Sequence, residues 1–277
     1  MLTPMRGFRI TSAFFAGLVV SFSLPPYSQG WPLLGVAGAI AGMAWLYHGL
    51  RRASGFPTGF LFGIGLFLPQ YYWLVNVYFW APFAVIPLYA SFYGVAFLAD
   101  TSTPWRFASL FTAAEFVRSI GSLAFPFALL GMSSASTTLE RLLPFVGVWG
   151  VCWLIAVLGA ELVRPTRRVI VPVLALFAAL MVTPPPCGKA TLPVGVVQGS
   201  FPDDADYEYH PEEVFAFLAG RTRLLAGMGA RLVVWSETVI LESLNQDSPR
   251  RLAIQRLADE SGATIVCGAP TSLALGI

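Results

Sequence analysis

Val182-Thr-Pro-Pro-Pro186 is where the composition of this chain changes, and the change decides the fold. Before it, seven apolar stretches fill two-thirds of the sequence. After it, short apolar runs alternate with amphipathic helical patterns, which is typical of a soluble α/β domain. Of the 277 residues, 56% are hydrophobic and 12% charged, and the mean hydropathy is +0.68, as in integral membrane proteins. The sequence therefore predicts a transmembrane bundle over residues 1–184 and a separate domain over residues 191–277.

The apolar stretches have the length of transmembrane helices, about 17 to 25 residues. The predicted spans are residues 8–24, 31–50, 56–80, 83–99, 105–123, 143–163 and 169–182, the last being short. Trp31, Trp80 and Trp105 fall at span ends, where an amphipathic ring favours the membrane interface. We therefore expect a polytopic α-helical bundle of about seven spans. Arg6 and Arg9 before the first span also fit a secretory signal peptide, but six further spans favour its retention.

Arginines predict the orientation of the bundle. Eight of them lie on one side of the predicted spans, and the short loops of the other side hold only Arg141. The eight are Arg6, Arg9, Arg51, Arg52, Arg106, Arg164, Arg167 and Arg168. Because basic residues in short loops mark the cytoplasmic side, the N-terminus is expected in the cytoplasm. After seven spans, the residues from Pro184 onward are expected outside it.

The second domain carries a pattern of alternating strands and helices. Strands are predicted over residues 192–198, 232–235 and 264–268, and helices over residues 210–228 and from Ser248-Pro249 to Gly262. A βαβαβ order predicts a parallel sheet covered by helices, with functional groups at the carboxyl ends of the strands. Glu237 follows the second predicted strand and is expected at that edge.

Glu237 has two interpretations on spacing alone. A carboxylate at the end of a buried parallel strand can act as a general base, whereas many glutamates in strand-to-helix loops are surface residues.

The net charge of +2, with 16 of 17 basic residues being dispersed arginines, indicates no nucleic-acid partner. Cys152, Cys187 and Cys267 lack metal-binding spacing, so we expect free thiols, no metal site and no cofactor.

Several separate segments of the chain resemble the N-terminal part of apolipoprotein N-acyltransferase, a bacterial inner-membrane enzyme family with an extracytoplasmic domain of the nitrilase superfamily. Order and spacing agree from end to end. The segments are Ser23-Leu-Pro-Pro-Tyr27 with Trp31-Pro32, Phe62-Gly-Ile-Gly-Leu-Phe67 with Trp73, Glu115-Phe-Val-Arg118 with Phe125-Pro126, Val197-Gln198-Gly199 with Pro202, and Val234-Trp235-Ser236-Glu237-Thr238. The resemblance implies that residues 191–277 are the first part of a nitrilase-like α-β-β-α sandwich.

The resemblance also implies a reaction. In this family a Glu-Lys-Cys triad moves a fatty acyl group from a membrane phospholipid to the N-terminal diacylglyceryl-cysteine of a lipoprotein, and Glu237 matches the glutamate, the general base. The family's lysine and cysteine lie beyond the position of Ile277. Lys189 is the only lysine and precedes Glu237, and Cys267 falls in a predicted buried strand. We therefore expect residues 1–277 to be inactive alone and to need a C-terminal half.

Three further residues are candidates for lipid or substrate binding. Glu115 and Arg118 are three residues apart on one helical face, so Arg118 either contacts a lipid phosphate or forms an internal ion pair that orients the fifth span. Tyr207 follows Asp206 where the family commonly has a Lys-Trp pair, and we expect it to line an acyl pocket. Ser236 stands where the family usually has proline.

Two functions from other classes remain open on the sequence. The first is a non-catalytic or split membrane partner that binds lipid or lipoprotein. The second is a small transporter that uses Glu115 and Arg118. It is disfavoured because the spans show no internal repeat and the βαβαβ half would be unexplained.

Overall fold

The computed structural model describes residues 4–51, 55–122, 124–181, 192–199, 210–237, 239–240, 242–244 and 248–269. The chain divides into two compact units, Met1–Pro184 and Pro185–Ile277. Each unit has its own cluster of buried apolar residues.

The regular secondary structure in the described residues of unit 1 is helical. Its α-helices are α1 (Pro4–Phe22), α2 (Pro32–Leu50), α3 (Phe56–Tyr71), α4 (Ala81–Ala96), α5 (Pro104–Val117), α6 (Leu143–Val163) and α7 (Ile170–Met181), with 3-10 turns at Tyr72–Asn76, Leu130–Ser134, Thr138–Leu142 and Arg167–Val169. Proline in the first turn of α2 to α6 suits a position whose N–H has no helical acceptor. Among the described residues, Pro32–Leu50, Phe56–Asn76 and Thr138–Val163 are long and apolar enough to cross a membrane.

Helices α3 and α5 end well before the predicted spans do. The third span was expected to reach Trp80, but α3 ends at Tyr71 and continues only as a 3-10 turn. Pro69 has no N–H to donate to the preceding turn, which weakens the helix there. The fifth span was expected to reach Leu123, but α5 ends at Val117, where Arg118 is the C-cap and turns back to bond the following loop.

Six helices close into a ring. Helix α1 packs against α2 and α3, α3 packs against α4, α5 packs against α4 and α6, and α6 packs back on α2. Aromatic side chains fill its interior. Phe62, Phe67, Tyr71, Tyr93, Phe107 and Phe111 are all buried, with ring centroids about 5 to 6 Å apart. Such close packing matters in lipid, where burial of apolar surface alone gives helices little reason to associate.

Glycines set the distance between α1 and α3. A Cβ atom at Gly65 would lie 2.1 Å from the carbonyl oxygen of Phe14, and one at Gly17 would lie 2.1 Å from that of Phe62. Small residues at such a crossing let two backbones approach closely. Gly65 belongs to the Phe62–Phe67 segment, so this part of the motif serves helix packing.

We expect Gly65→Ala to lower the thermal unfolding midpoint of the bundle in detergent, because the added methyl group forces α1 and α3 apart at a cost of about 1–3 kcal/mol. Gly49→Ala in α2 is the matched control. A Cβ there meets nothing within 4 Å, and alanine favours a helix more than glycine. Equal midpoints for the two variants would contradict close packing at Gly65.

The described residues of unit 2 form a parallel three-stranded sheet with two helices. The elements are β1 (Val194–Val197), α8 (Pro211–Gly227), β2 (Leu232–Trp235), α9 (Pro249–Ser261) and β3 (Thr264–Val266), and the strand order is β1-β2-β3. Val194 pairs with Leu232, and Val234 pairs with Val266. The predicted βαβαβ order is confirmed, although β1 and β3 are shorter than expected.

Among the described residues, one face of this sheet is covered and the other is exposed. Val197, Val233 and Trp235 are buried in the core formed with α8 and α9. On the opposite face Val196 is 71% exposed, and Val194 and Val266 are also exposed. A row of exposed valines on a strand is unusual unless another layer covers it. The predicted two-sheet sandwich goes beyond the single sheet of the described residues and stays a prediction.

Candidate active site

Glu237 lies at the carboxyl edge of the sheet. The three parallel strands end at Val197, Trp235 and Val266, so all three ends face the same edge. Glu237 follows the middle strand by two residues, and its side chain is exposed. This is the edge at which open parallel sheets place their ligands.

The residues before Glu237 are fixed to the domain core. Trp235 is buried, and its indole Nε1–H donates to Thr222 Oγ1 in α8 at 3.0 Å. The backbone N–H of Ser236 donates to the carbonyl oxygen of Val197 at 3.2 Å. The chain therefore leaves β2 in a defined direction, and serine in place of the family's proline is compatible with it.

The residues after Glu237 return to the core at once. Val239 and Ile240 are both buried. Glu242 then pairs with Arg250 of α9. Glu237 thus projects from a short segment that is anchored on both sides, which is how a scaffold holds a reactive group in a fixed place.

Arg250 was not identified from the sequence as a site residue. Its side chain is only 7% exposed. Nε and Nη2 donate to Glu242 at 2.7 and 3.1 Å, Nη2 and Nη1 donate to Glu212 at 2.7 and 3.4 Å, and the guanidinium lies 4.6 Å from the Phe215 ring centroid. The hydrogen bonds that Arg250 donates to Glu242 and then to Glu212 raise the pKa of Arg250 above its ordinary value.

Cys267 follows β3 directly and is partly buried against the core of unit 2. The sequence pattern had placed it inside the strand, but β3 ends one residue earlier because the ladder stops at Val266. Burial raises the pKa of the Cys267 thiol, which disfavours the nucleophilic thiolate. Tyr207 and Lys189 lie outside the described residues.

Glu115 and Arg118 form a fully buried ion pair in unit 1. Nη2 of Arg118 donates to Oε1 of Glu115 at 3.1 Å, and both side chains are 0% exposed. The Tyr93 hydroxyl donates to the same Oε1, and the backbone N–H of Leu130 donates to Oε2 at 3.2 Å. The pair expected on one helical face is therefore present, and its carboxylate is well supplied with donors.

Arg118 also fixes the loop that follows α5. Nη1 donates to the carbonyl oxygens of Phe125 and Phe127 at 3.0 and 2.9 Å, and Nη2 donates to that of Ala128 at 3.0 Å. Ala128 has a φ of 56°, which is costly for a residue other than glycine. Arg118 thus holds the backbone of this loop in a conformation that alanine rarely adopts.

This geometry supports the second of the two interpretations of Arg118. Its terminal nitrogens are occupied by one carboxylate and three carbonyls of its own chain, and the guanidinium lies 5.0 Å from the Phe67 ring centroid. Within the part of the chain that the structure describes, Nε has no acceptor, and it is buried. Binding of a lipid phosphate would require one of these contacts to be released, and it stays a prediction.

The bundle motifs that the sequence analysis singled out are linked to one another. Phe67 packs under Arg118, and Arg118 binds the carbonyl of Phe125. In the first loop, the Tyr27 hydroxyl donates to the carbonyl of Pro69 at 2.9 Å. In this chain these residues therefore have a structural role, since their contacts join α3, α5 and the two loops.

Comparison with known proteins gives consistent matches. The family model for the apolipoprotein N-acyltransferase N-terminal domain matches residues 16–160, which is more than half of the chain. The apolipoprotein N-acyltransferase of Rhizobium rhizogenes is 29% identical over 283 residues, covering 87% of this chain and 52% of the relative. The apolipoprotein N-acyltransferase of Pseudomonas aeruginosa strain LESB58 is 28% identical over 298 residues, covering 93% of this chain and 56% of the relative.

A relative of lower sequence identity also aligns over most of the chain. The Rickettsia prowazekii protein of the same name is 24% identical over 243 residues, covering 76% of this chain and 48% of its own. The chain spans about half the length of the curated relatives it matches. Because the family model covers residues 16–160 and these relatives align over most of the chain, this protein belongs to the apolipoprotein N-acyltransferase N-terminal domain family.

Proposed function

We propose that this protein takes part in N-acylation of lipoproteins, in which a fatty acyl group passes from a membrane phospholipid to the N-terminal amino group of a diacylglyceryl-cysteine. In this proposal Glu237 is the general base. The lysine and the cysteine of the triad come from sequence outside residues 1–277. The family assignment supports this reaction class.

One observation carries the proposal for the site. Glu237 is exposed at the carboxyl edge of a parallel sheet, on a segment whose neighbours on both sides are buried. A surface glutamate with no role needs no such anchoring. A general base does, because proton transfer requires its carboxylate within hydrogen-bond reach of the proton.

The chemistry proceeds in two acyl transfers. Glu237 accepts the proton of the cysteine thiol while the sulfur attacks the ester carbonyl of the phospholipid and forms an S–C bond. The C–O bond of the ester then breaks, and the released lysophospholipid alcohol takes the proton. In the second step the lipoprotein amine attacks the thioester and forms the N–C bond while Glu237 accepts one amine proton. The S–C bond then breaks, and the cysteine sulfur takes that proton and becomes a thiol again. The lysine ammonium stabilises the oxyanion in each step.

We infer that the chain also follows the architecture of the family. That architecture has about seven spans, a cytoplasmic N-terminus and a nitrilase-like domain outside the inner membrane. The exposed valine face of the sheet supports a second sheet packed against it, because each layer of a sandwich buries its apolar face on the other. Glu115, Arg118 and Tyr207 are retained as candidates for contact with the lipid.

The proposal is tested by transfer of a labelled acyl chain from phospholipid vesicles to a diacylated lipopeptide. The polypeptide of residues 1–277 should neither form an acyl thioester nor acylate the peptide, because loss of a covalent nucleophile costs several powers of ten in rate. The protein expressed from its complete gene should do both if the gene also encodes the lysine and cysteine. Robust transfer by residues 1–277 that disappears in Cys267→Ala would show that Cys267 is the nucleophile.

The orientation has its own test. A reporter enzyme that is active only outside the cytoplasm should be active when fused after Gly199 and inactive when fused after Arg52, because the arginines of the short loops favour the cytoplasmic side. Reporter activity is measured in intact cells, and the amount of each fusion protein is compared by immunoblot. The reverse pattern would put Glu237 in the wrong compartment for acylation of exported lipoproteins.

A further inference from the structure

Arg250 joins the two ends of the segment that carries Glu237. Beyond Glu237, Glu242 accepts hydrogen bonds from Nε and Nη2 of Arg250 at 2.7 and 3.1 Å, a bidentate arrangement. Such pairs are stronger and more directional than single hydrogen bonds. The chain after Glu237 is therefore tied to the first turn of α9.

The same guanidinium is linked to the chain before Glu237 by packing. It lies over the ring of Phe215, 4.6 Å from the centroid, and Phe215 contacts Trp235 edge to face with centroids 6.4 Å apart. Trp235 is the last residue of β2. One side chain thus connects, directly or through one ring, to both flanks of the segment.

The position of Arg250 in α9 indicates that these contacts hold it there. The positive end of the helix dipole lies at the N-terminus, where basic side chains are disfavoured and acidic ones favoured. The first turn of α9 has no acidic residue. The carboxylates of Glu212 and Glu242 supply the negative charge instead, and Glu212 comes from a different helix, α8.

We propose that Arg250 is a positioning residue for Glu237. It clamps the segment between Trp235 and Glu242 and so fixes the direction in which the Glu237 carboxylate projects. The inference rests on the proposed function for its catalytic consequence, but the clamp itself is independent of that function. Because the Arg250 side chain is only 7% exposed and its guanidinium is bonded to Glu212 and Glu242, it touches no substrate in this proposal.

The first experiment measures the clamp without any assay of activity. In Arg250→Met, the amides of residues 239–244 should exchange hydrogen for deuterium at least tenfold faster than in the unchanged protein, while those of β1 and β2 keep their protection. Arg256→Met is the matched control. Arg256 lies on the exposed side of the same helix, so its loss should leave exchange unchanged. Unaltered exchange at residues 239–244 in Arg250→Met would overturn the clamp.

The second experiment measures the catalytic consequence in the protein expressed from its complete gene. Arg250→Met should lower kcat for labelled acyl transfer about 100-fold with little change in KM, because a small displacement of a catalytic group is enough for such a loss. In the Glu237→Gln background it should cause no further loss, since it acts through Glu237. Simple destabilisation would instead add to the effect of Glu237→Gln.

Milder variants keep the proposal testable where Arg250→Met does not fold. Arg250→Lys retains one charge but cannot bridge two carboxylates, so its kcat should fall between those of the unchanged protein and Arg250→Met. Glu242→Gln should reproduce the faster exchange. Full activity in Arg250→Lys and Glu242→Gln, with Glu237→Gln inactive, would overturn the inference alone. Full activity in Glu237→Gln would overturn the proposed function as well.

Discussion

Glu237→Gln is expected to lower the rate of labelled acyl transfer by about 10²- to 10⁴-fold, the usual contribution of a general base. Glutamine keeps the shape of the side chain but cannot accept the thiol proton. The acyl-thioester intermediate should therefore disappear along with the product. The measurement is the initial rate for the protein expressed from its complete gene, with thioester formation followed by release of label with hydroxylamine.

Two further variants test whether the loss of activity is specific to the carboxylate of Glu237. Glu237→Asp retains the carboxylate but withdraws it by one methylene, so it should lose less activity than Glu237→Gln. Glu213→Gln alters another exposed glutamate, in the first turn of α8, and should have no effect on transfer. Transfer that survives Glu237→Gln would remove Glu237 from the site, whatever the family resemblance implies.

The positions of Glu237 and of the start of α9 could be predicted from the sequence, because a local pattern of residues determines each of them. The apolar run Leu232–Trp235 and the βαβαβ order predicted that Glu237 follows a buried parallel strand, and the structure has it there. Ser248 and Pro249 predicted the start of α9, and Ser248 Oγ does accept from the N–H of Arg251 at 3.4 Å. In these cases the signal is carried by neighbouring residues and needs no knowledge of the tertiary fold.

Helix ends were less predictable, because apolar composition does not report where the backbone turns. The predicted fifth span included residues 118–123, yet α5 ends at Val117. The cause is a tertiary one: Arg118 bonds the carbonyls of Phe125, Phe127 and Ala128, which brings the chain back toward the helix end. A hydropathy scale assigns a value to each residue separately, so it cannot predict such a contact.

The contacts of Arg250 at the candidate site could not be predicted from the sequence for the same reason. Arg250 contacts Glu212, 38 residues earlier, and the sequence gives no distance between them. One local signal was nevertheless present. An arginine in the first turn of a helix opposes the helix dipole, and such a residue calls for carboxylates close by. The closed ring of α1 to α6 likewise depends on pairings that no single segment contains.

Arg118→Met is expected to destabilise the bundle by about 3–5 kcal/mol, because it leaves the Glu115 carboxylate buried without its partner. It also removes the donors to three loop carbonyls. The measurement is the thermal unfolding midpoint in detergent. At about 2–4 °C per kcal/mol for a unit of this size, the midpoint should fall by roughly 10 °C.

Arg106→Met on the same helix is the matched control, and it decides between the two roles of Arg118. Arg106 pairs with Asp100, but those side chains are 62% and 55% exposed, and exposed pairs contribute only about 0.2–1 kcal/mol.

The double variant Glu115→Gln/Arg118→Met separates the two structural roles of Arg118. If Arg118 mainly neutralises Glu115, the double variant should recover most of the lost stability. If Arg118 mainly holds the loop, the recovery should be small, because the carbonyls of Phe125, Phe127 and Ala128 remain without donors. Equal, small shifts for Arg118→Met and Arg106→Met, together with weaker phospholipid binding in Arg118→Met alone, would instead assign Arg118 to a lipid phosphate.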